Sequence, residues 1–422
     1  MSKQNYVIIG NGFAGIWAIE GIRSLDKENP IVLISDEENY SRPLISYYLG
    51  KKVKSTLLPY RPESFFTDNN VTLKLKTKAT KLDTSKKMVT LANGETIAYT
   101  KLLLATGGKP IAPPIPGSQA KGVFNFTTYQ DARRIKEYIE ENDVKSVVVL
   151  GAGLIGLKAT EALMELGIKV TVVELADRIL AATFDKKASA IIEDALVDQE
   201  CHVIKESTIT EILSTKEKVS GVKLKNGKEL PCSLVVIAIG VKPNLDLLAE
   251  TPVEVKRGIV VNDHMQSSVP EIYAAGDVAE VKGWVVAILP LATRQGRIAG
   301  INMAGGNLAF EGDLVMNSVE LAGIPTISVG LTDPKEHMEE YEILEKYQPV
   351  KKIYRKIVLR GDVLVGMILV GDIDRAGILT GLIKEKVDVT PFKEHLAQGN
   401  FGLISLPKEY RKHLVKGPGI EI

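Results

Sequence analysis

The chain opens on a run of apolar residues, Tyr6 to Ile9, followed by Gly10-Asn11-Gly12-Phe13-Ala14-Gly15. Helical spacing then continues to about Leu25, and a second apolar run covers Ile31 to Ile34. This predicts a buried strand, a glycine turn, a helix and a second strand. Between residues 71 and 104 the period falls to two. Leu73 and Leu75 alternate with Lys74 and Lys76, Asn93-Gly94 marks a hairpin, and a strand is expected at Leu102 to Leu104. A small β meander is predicted there. The stretch with Pro110, Pro113, Pro114 and Pro116 reads as a linker. The plan then repeats: strand Val147 to Leu150, turn Gly151-Ala152-Gly153-Leu154-Ile155-Gly156, a helix to about Leu166, strand Val170 to Val173, a hairpin at Asn226-Gly227, and a closing strand from Val235 to Ile239 ahead of Gly240 and Pro243. A further helix is expected near Pro290. A third region from about residue 311 carries expected strands at 314–330, 353–360 and 363–370 and helices at 375–385 and 391–397.

This pattern predicts an α/β protein: two Rossmann-like dinucleotide-binding domains with β meanders, then a C-terminal α+β domain. The expected domains are 1–112 with 243–310, then 113–242, then 311–422.

Composition narrows the chemistry by exclusion. With 422 residues, 53 Lys plus Arg and 52 Asp plus Glu, the chain is nearly neutral, and nothing in that balance calls for nucleic acid or a membrane surface. No secretion signal precedes Tyr6 and no apolar stretch approaches a membrane span, so a cytoplasmic protein is expected. Cys201 and Cys232 form no C-x-x-C pair, and the histidines (His202, His264, His337, His395, His413) form no spaced metal-ligand set, so no metal is expected.

A glycine turn between strand and helix removes Cβ atoms so that backbone closes around a pyrophosphate, and the helix start offers free N–H groups and its positive dipole end. One such turn is weak evidence; two, each after an apolar strand, are strong. Glu174 ends the second strand of the second unit, where a carboxylate accepts both ribose hydroxyls and repels a 2′-phosphate, favouring NADH over NADPH. Arg178, four residues later, weakens that inference, because an arginine nearby accommodates such a phosphate. In the first unit Ser35 stands at the equivalent place. Asp36 is then the ribose candidate and Glu37 the second; the bland alternative is two solvated loop acids.

In this order and spacing the motifs resemble those of the FAD- and NAD(P)-dependent pyridine nucleotide–disulfide oxidoreductases, over roughly residues 5–310. The branch of NADH–rubredoxin reductases and the flavoprotein part of assimilatory nitrite reductases is the most similar. The resemblance implies FAD on Gly10, Gly12, Phe13, Ala14 and Gly15, and NAD on Gly151, Gly153, Leu154, Ile155 and Gly156. It implies that Ala105-Thr106-Gly107 lies beneath FAD and that Asp277, after Ala275-Gly276, holds its ribityl–phosphate side. Arg42 with Pro43, Ala79 as an adenine contact, Gly240 with Pro243 on the nicotinamide side, and Leu291, Ala292 and Thr293 at a helix start facing the flavin carry over in the same way.

The sequence also departs from that family. Ser41 to Tyr48 contains no cysteine, so a thiol relay beside the flavin is absent and electrons must leave the flavin directly. Where many relatives pair a lysine with a glutamate near flavin N5, this chain has Tyr47 and Lys158. These are the candidate catalytic positions, with an ordinary helix lysine weighed equally for Lys158.

The resemblance implies hydride transfer from NADH to FAD, then single electrons to a small redox protein (rubredoxin or ferredoxin-type) or to an attached iron–sulfur enzyme. Flow in reverse, with a partner such as a CO dehydrogenase system reducing NAD+, is also compatible. A homodimer built on the third region is expected. Clusters at Lys51, Lys52, Lys54; Lys74, Lys76, Lys78; and Lys351, Lys352, Arg355, Lys356 are candidate docking patches or plain solvated faces. The alternatives are a flavin-bound sensor or assembly protein of the apoptosis-inducing-factor type and a peroxide or disulfide reductase. The segment Leu396 to Pro407 suggests no function.

Overall fold

The computed structural model describes residues 4–312, 314–399 and 402. Most of Leu396 to Pro407, and His413, therefore lie outside the described residues. The chain divides into two compact units: Met1–Gly151, Lys158–Val170 and Ile209–Asp313 form one, and Ala152–Leu157, Thr171–Thr208 and Leu314–Ile422 the other. The fold is α/β, with two Rossmann-like dinucleotide-binding domains and a C-terminal domain.

In the first unit the predicted strands Tyr6–Ile9, Ile31–Ile34 and Lys101–Leu104 form a parallel sheet with Ile272–Ala274 at one edge and Val71–Lys74 at the other. Val71–Lys74 thus belongs to this sheet and not to the meander, which is Ala79–Asp83, Met88–Leu91 and Thr96–Ala98. The first two strands are buried on both faces, so their sequences are continuous apolar runs. Helix Phe13–Leu25 lies against helix Leu289–Met303 at backbone distance. A methyl on Gly296 would sit 2.1 Å from Ala14 O, one on Gly300 2.2 Å from Ala18 O, and one on Gly21 2.3 Å from Arg297 O. Only glycine permits that approach.

Also in this unit, Ser146–Leu150 pairs in parallel with Leu234–Ile237, which pairs with Val123–Asn125. The Asn226-Gly227 turn joins Lys218–Leu224 to Glu229–Pro231 in an antiparallel meander, as its sequence predicts. The expected linker is partly strand: Gly108–Pro110 pairs with Val241–Pro243. Helix Tyr129–Asn142, which the periodicity did not single out, starts at a capping box between Thr128 and Asp131.

In the second unit Thr171–Val173 pairs in parallel with His202–Ile204. The C-terminal sheet is antiparallel, in the order Met316–Leu321, Ile324–Gly330, Val363–Val370, Ile353–Arg360, Tyr341–Gln348. Ile357, Leu359, Met367 and Leu369 pack with Leu379, Leu382 and Ile383 of helix Ala376–Glu385. The edge strand Tyr341–Gln348 gave no period-two signal, because Glu342, Leu344 and Lys346 share one face, Ile343, Glu345 and Tyr347 the other, and none is fully buried.

Candidate functional site

The first glycine turn divides its labour among three glycines. Gly10 has φ +111°, and a methyl there would lie 2.0 Å from Ala105 O, so only glycine lets the turn meet the end of strand Lys101–Leu104. A methyl on Gly15 would lie 2.0 Å from Gly10 O. Around Gly12 the same methyl meets nothing within 4 Å. Gly12 is the N-cap of helix Phe13–Leu25, and no side chain caps it. The start of this helix, at Phe13 and Ala14, therefore points free N–H groups at open space, which suits a phosphate.

Three other segments converge here. Gly276, at φ +78°, would bring a methyl 3.1 Å from Ala14 Cβ and 3.5 Å from Ala292 Cβ. Its N–H donates to Oε1 of buried Gln295 at 2.9 Å. Residues 10–15, 105–107, 276–277 and 291–293 thus share one locality. Helix Leu289–Met303 has Pro290 in its first turn, buried Leu291 and Ala292, and Thr293 donating to Pro290 O at 2.7 Å. Thr106 Oγ1 donates to Asn244 O at 2.9 Å, and a methyl on Gly107 (φ +63°) would meet nothing. Among the described residues Asn244 Oδ1 is buried without a hydrogen-bond partner. An open cradle at Gly12 and Gly107 beside an orphaned buried acceptor fits a bound dinucleotide. Gly240, at φ +113°, accepts from Ile111 N at 3.1 Å and so borders the same linker pairing.

Of the acids after the second strand, Asp36 is exposed, whereas Glu37 accepts from Tyr40 O–H at 2.9 Å and from Arg42 at 2.6 Å. Asp36 is thus the freer ribose candidate. Ser35 Oγ donates to Oδ1 of buried Asn11 at 3.0 Å, and Asn11 Nδ2 donates to Glu38 O at 2.8 Å. Arg42, next to exposed Pro43, also donates to Thr127 O. Burial opposes the charge on Arg42, but Tyr40, Glu37 and Asp277 outweigh it and raise its pKa. Burial pushes the Asp277 carboxyl up against the opposing pull of Arg42. Ala79 opens the meander two residues after Thr77, whose N–H donates to Ser35 O at 2.9 Å.

Tyr47, in the short helix Ile45–Leu49, and Lys158 do come together: Lys158 Nζ is 5.3 Å from the Tyr47 ring centroid. Its nearest carboxylate is Glu161, at 2.5 Å. A cation–π contact with a neighbouring acid joins the two positions at which the resemblance implies a departure from an ion pair.

The second turn repeats the first sterically. Gly151 has φ +104° and would place a methyl 2.5 Å from Ala238 O, while Gly153 faces open space. Leu154 and Ile155 begin helix Leu154–Glu165, and Gly156 in its first turn is buried. Glu174 accepts from Ala152 N at 2.7 Å and from Ala176 N at 2.8 Å, one bond on each oxygen. Its carboxylate is therefore anchored across the turn and keeps lone pairs for further donors.

Asn11, Gln295 and Glu161 were missed by the sequence reading. Gln295 was detectable, because it is the polar member of the buried stripe Leu291, Ala292, Gln295, Ile298, Ala299. The basic clusters need correction. Arg355 and Lys356 are buried, at 2% and 4% exposed, and Lys356 pairs with Asp185 at 3.0 Å. Lys352 pairs with Asp198, Lys52 with Glu165, Lys74 with Glu95 and Lys76 with Glu38. These lysines are matched by local acids, and the third cluster is not a surface patch. Cys201 and Cys232 are buried, and burial pushes both thiols up to about 12, which keeps them protonated and inert.

Two glycine turns with open centres, each between strand and helix, are the geometry of a protein that binds two dinucleotides. The model of the pyridine nucleotide-disulphide oxidoreductases matches residues 4–302, and that of the rubredoxin NAD+ reductase C-terminal domain matches residues 316–387. The chain belongs to the pyridine nucleotide-disulphide oxidoreductase family and is an FAD-dependent enzyme that binds NAD(H). It is 32% identical over 394 residues to a nitrite reductase [NAD(P)H] of Bacillus subtilis, covering 92% of this chain and 48% of that one, so it spans about half of that relative's length. It is 33% identical to the NADH-dependent phenylglyoxylate dehydrogenase subunit epsilon of Aromatoleum evansii, covering 93% and 94%. A ferredoxin reductase from Rhodopseudomonas palustris superposes with a TM-score of 0.85 at 27% identity, covering 93% and 97%. Among the described residues no helix is long and apolar enough to cross a membrane.

Proposed function

We propose that this chain carries electrons from NADH through FAD to a one-electron iron–sulfur or rubredoxin-type protein. The observation that carries the reading is the pairing of two open glycine cradles with the absence of any reactive thiol: both cysteines are buried, and neither lies in a segment that converges on the first turn. Bound FAD supplies the exchange between two-electron and one-electron chemistry. The rest is positioning. Gly12, Phe13, Ala14 and Gly15 hold one pyrophosphate; Gly151, Gly153, Leu154, Ile155 and Gly156 hold the other. Asp36 and Glu174 orient the two riboses, and Asp277, Arg42, Pro43 and Ala79 fix the flavin nucleotide. Ala105, Thr106, Gly107, Gly240 and the helix start at Leu291, Ala292 and Thr293 frame the flavin, and Lys158 over Tyr47 sets the local charge. The corresponding domains are 1–112 with 243–310 for FAD, 113–242 for NADH and 311–422 for a dimer interface.

Support for the acceptor comes from the rubredoxin reductase C-terminal domain and the ferredoxin reductase likeness. A second reading, service as the NADH-linked subunit of a larger enzyme, is favoured by the nearly full-length match to a dehydrogenase subunit. The test is to mix the FAD-loaded protein anaerobically with NADH, follow flavin absorbance, and add oxidised rubredoxin or ferredoxin. Fast bleaching followed by fast recovery is expected. Bleaching without recovery by any such carrier points to a sensor, and the absence of bleaching removes the NADH assignment.

A further inference from the structure

The loop from Glu174 to Asp185 follows the strand that presents the candidate ribose-binding carboxylate. Arg178 in this loop, four residues after Glu174, is the arginine that a 2′-phosphate would call on if its guanidinium were free. Its guanidinium is engaged on every nitrogen. Nε donates to Phe184 O at 3.2 Å, Nη1 to Asp177 at 2.9 Å and Nη2 to Ala181 O at 3.4 Å, with Asp333 Oδ2 3.6 Å from Nη2. The side chain is 14% exposed. Asp333 is the one member of this set from outside the loop; it follows C-terminal strand Ile324–Gly330 by three residues.

The same stretch of chain grips the loop again on either side. Thr332 Oγ1 donates to Thr183 O at 3.4 Å. Asp333 Oδ1 lies 3.5 Å from Lys356, which in turn lies 3.0 Å from Asp185, the N-cap of helix Lys186–Val197. Tyr354 O–H donates to Asp185 at 2.7 Å. Lys186 pairs with Asp177 at 3.1 Å. The cations Arg178, Lys186 and Lys356 are thus matched by Asp177, Asp185 and Asp333, and Glu174 adds an unmatched negative charge. A 2′-phosphate adds between one and two more negative charges at neutral pH, roughly as for a phosphomonoester. It would meet Glu174 with no cation released to receive it, which is discrimination by an unmatched charge.

We infer that Asp333 is a specificity-determining positioning residue: from the C-terminal domain it holds Arg178 within its own loop and so makes the nucleotide site select NADH against NADPH. This rests on the reading of residues 151–156 and Glu174 as the NADH site.

The test uses the full FAD-loaded chain with Asp333→Asn, and Asp333→Ser in parallel; Asp333 is 35% exposed, and neither change overpacks a core. Two readouts are taken: the ratio of flavin-bleaching rates with NADPH and NADH, and calorimetric affinity for adenosine 2′,5′-bisphosphate relative to AMP. Both ratios are expected to rise roughly tenfold, the factor that ~1.4 kcal/mol of released ion pairing gives. The rise should vanish when Arg178→Ala is added, and Asp333→Glu should retain the native ratios. Unchanged ratios in both folded, flavin-bearing variants overturn the inference, as does a rise that survives the loss of Arg178. If the native protein is bleached by neither nucleotide, the NADH reading fails on its own account, independently of Asp333.

Discussion

In the first nucleotide turn Gly10 abuts Ala105, and in the second Gly151 abuts Ala238, each at positive φ and each leaving its middle glycine facing open space. Beyond that shared geometry the turns differ in what braces them. The first is braced by neutral groups, Ser35 donating to Asn11, with its exposed acid Asp36 one residue further on. The second is braced by a charge: the carboxylate of Glu174 accepts the N–H of Ala152 inside the turn itself. The hydrogen bonds that brace the first turn do not use Asp36, the acid proposed to meet the ribose. A turn braced by the carboxylate proposed to read the ribose would couple its own order to nucleotide recognition. That contrast suits a resident cofactor in the first site and an exchanging one in the second.

The comparison is broken most severely at Gly10. Gly10→Ala places a methyl against Ala105 O at a φ that alanine avoids, so a loss of about 3 kcal/mol or more is expected, with FAD absent from the purified protein. Gly12→Ala has room in the protein, so its thermal midpoint without flavin should stay near native while FAD affinity falls. Absorbance at the flavin maximum and calorimetry separate the two. At the second turn Gly153→Ala should keep its FAD and raise the KM for NADH roughly tenfold, about 1.4 kcal/mol of lost binding; an unaltered KM would mean that nothing binds there.

A smaller effect is expected at the end of the first helix. Asp26 accepts from Tyr6 O–H at 2.8 Å and from the Asn29 side chain at 2.7 Å. Burial works against its charge, but the bonds from Asn29, Tyr6 and Glu28 prevail and lower it to about 2. A lowered carboxyl contributes stability that is present above the ordinary value of 3.8 and lost as pH falls through about 2. Unfolding of Asp26→Asn should show that part of the acid dependence removed, and an unchanged slope between pH 4 and 2 would refute it. The smallest effect belongs to Ser35→Ala, which removes the bond donated to Asn11 and the one accepted from Glu37 N–H, and should cost about 1–2 kcal/mol without touching NADH kinetics.

Much of this was legible in the sequence because its signals are local. Strands Tyr6–Ile9 and Ile31–Ile34 and the predicted helix Phe13–Leu25 follow from apolar runs and glycine spacing, and the strands expected at 353–360 and 363–370 are found there. Ser35 bonding Asn11 was not legible, since a serine and an asparagine 24 positions apart carry no shared period. Nor was the burial of Arg355 and Lys356, because a basic run reads as surface until the acids that neutralise it, Asp372 and Asp185, are brought beside it by the fold. Arg178 looked like a free phosphate ligand for the same reason: its partner Asp333 lies far along the chain.

The glycine-lined crossing of helices Phe13–Leu25 and Leu289–Met303 also bears on how the protein is made. The sheet edge at Ile272–Ala274 and the helix that locks against the first nucleotide helix are translated long after the turn they complete. On the ribosome, the earlier strands of that sheet must wait, with an unpaired edge on Lys101–Leu104, until strand Ile272–Ala274 and helix Leu289–Met303 have emerged. Such late closure slows folding and exposes an aggregation-prone surface in the meantime. Truncation before Met303 should therefore leave a nascent chain that chaperones retain, with no stable flavin-binding fragment, and limited proteolysis of stalled chains would show at what length protection of the first strands begins.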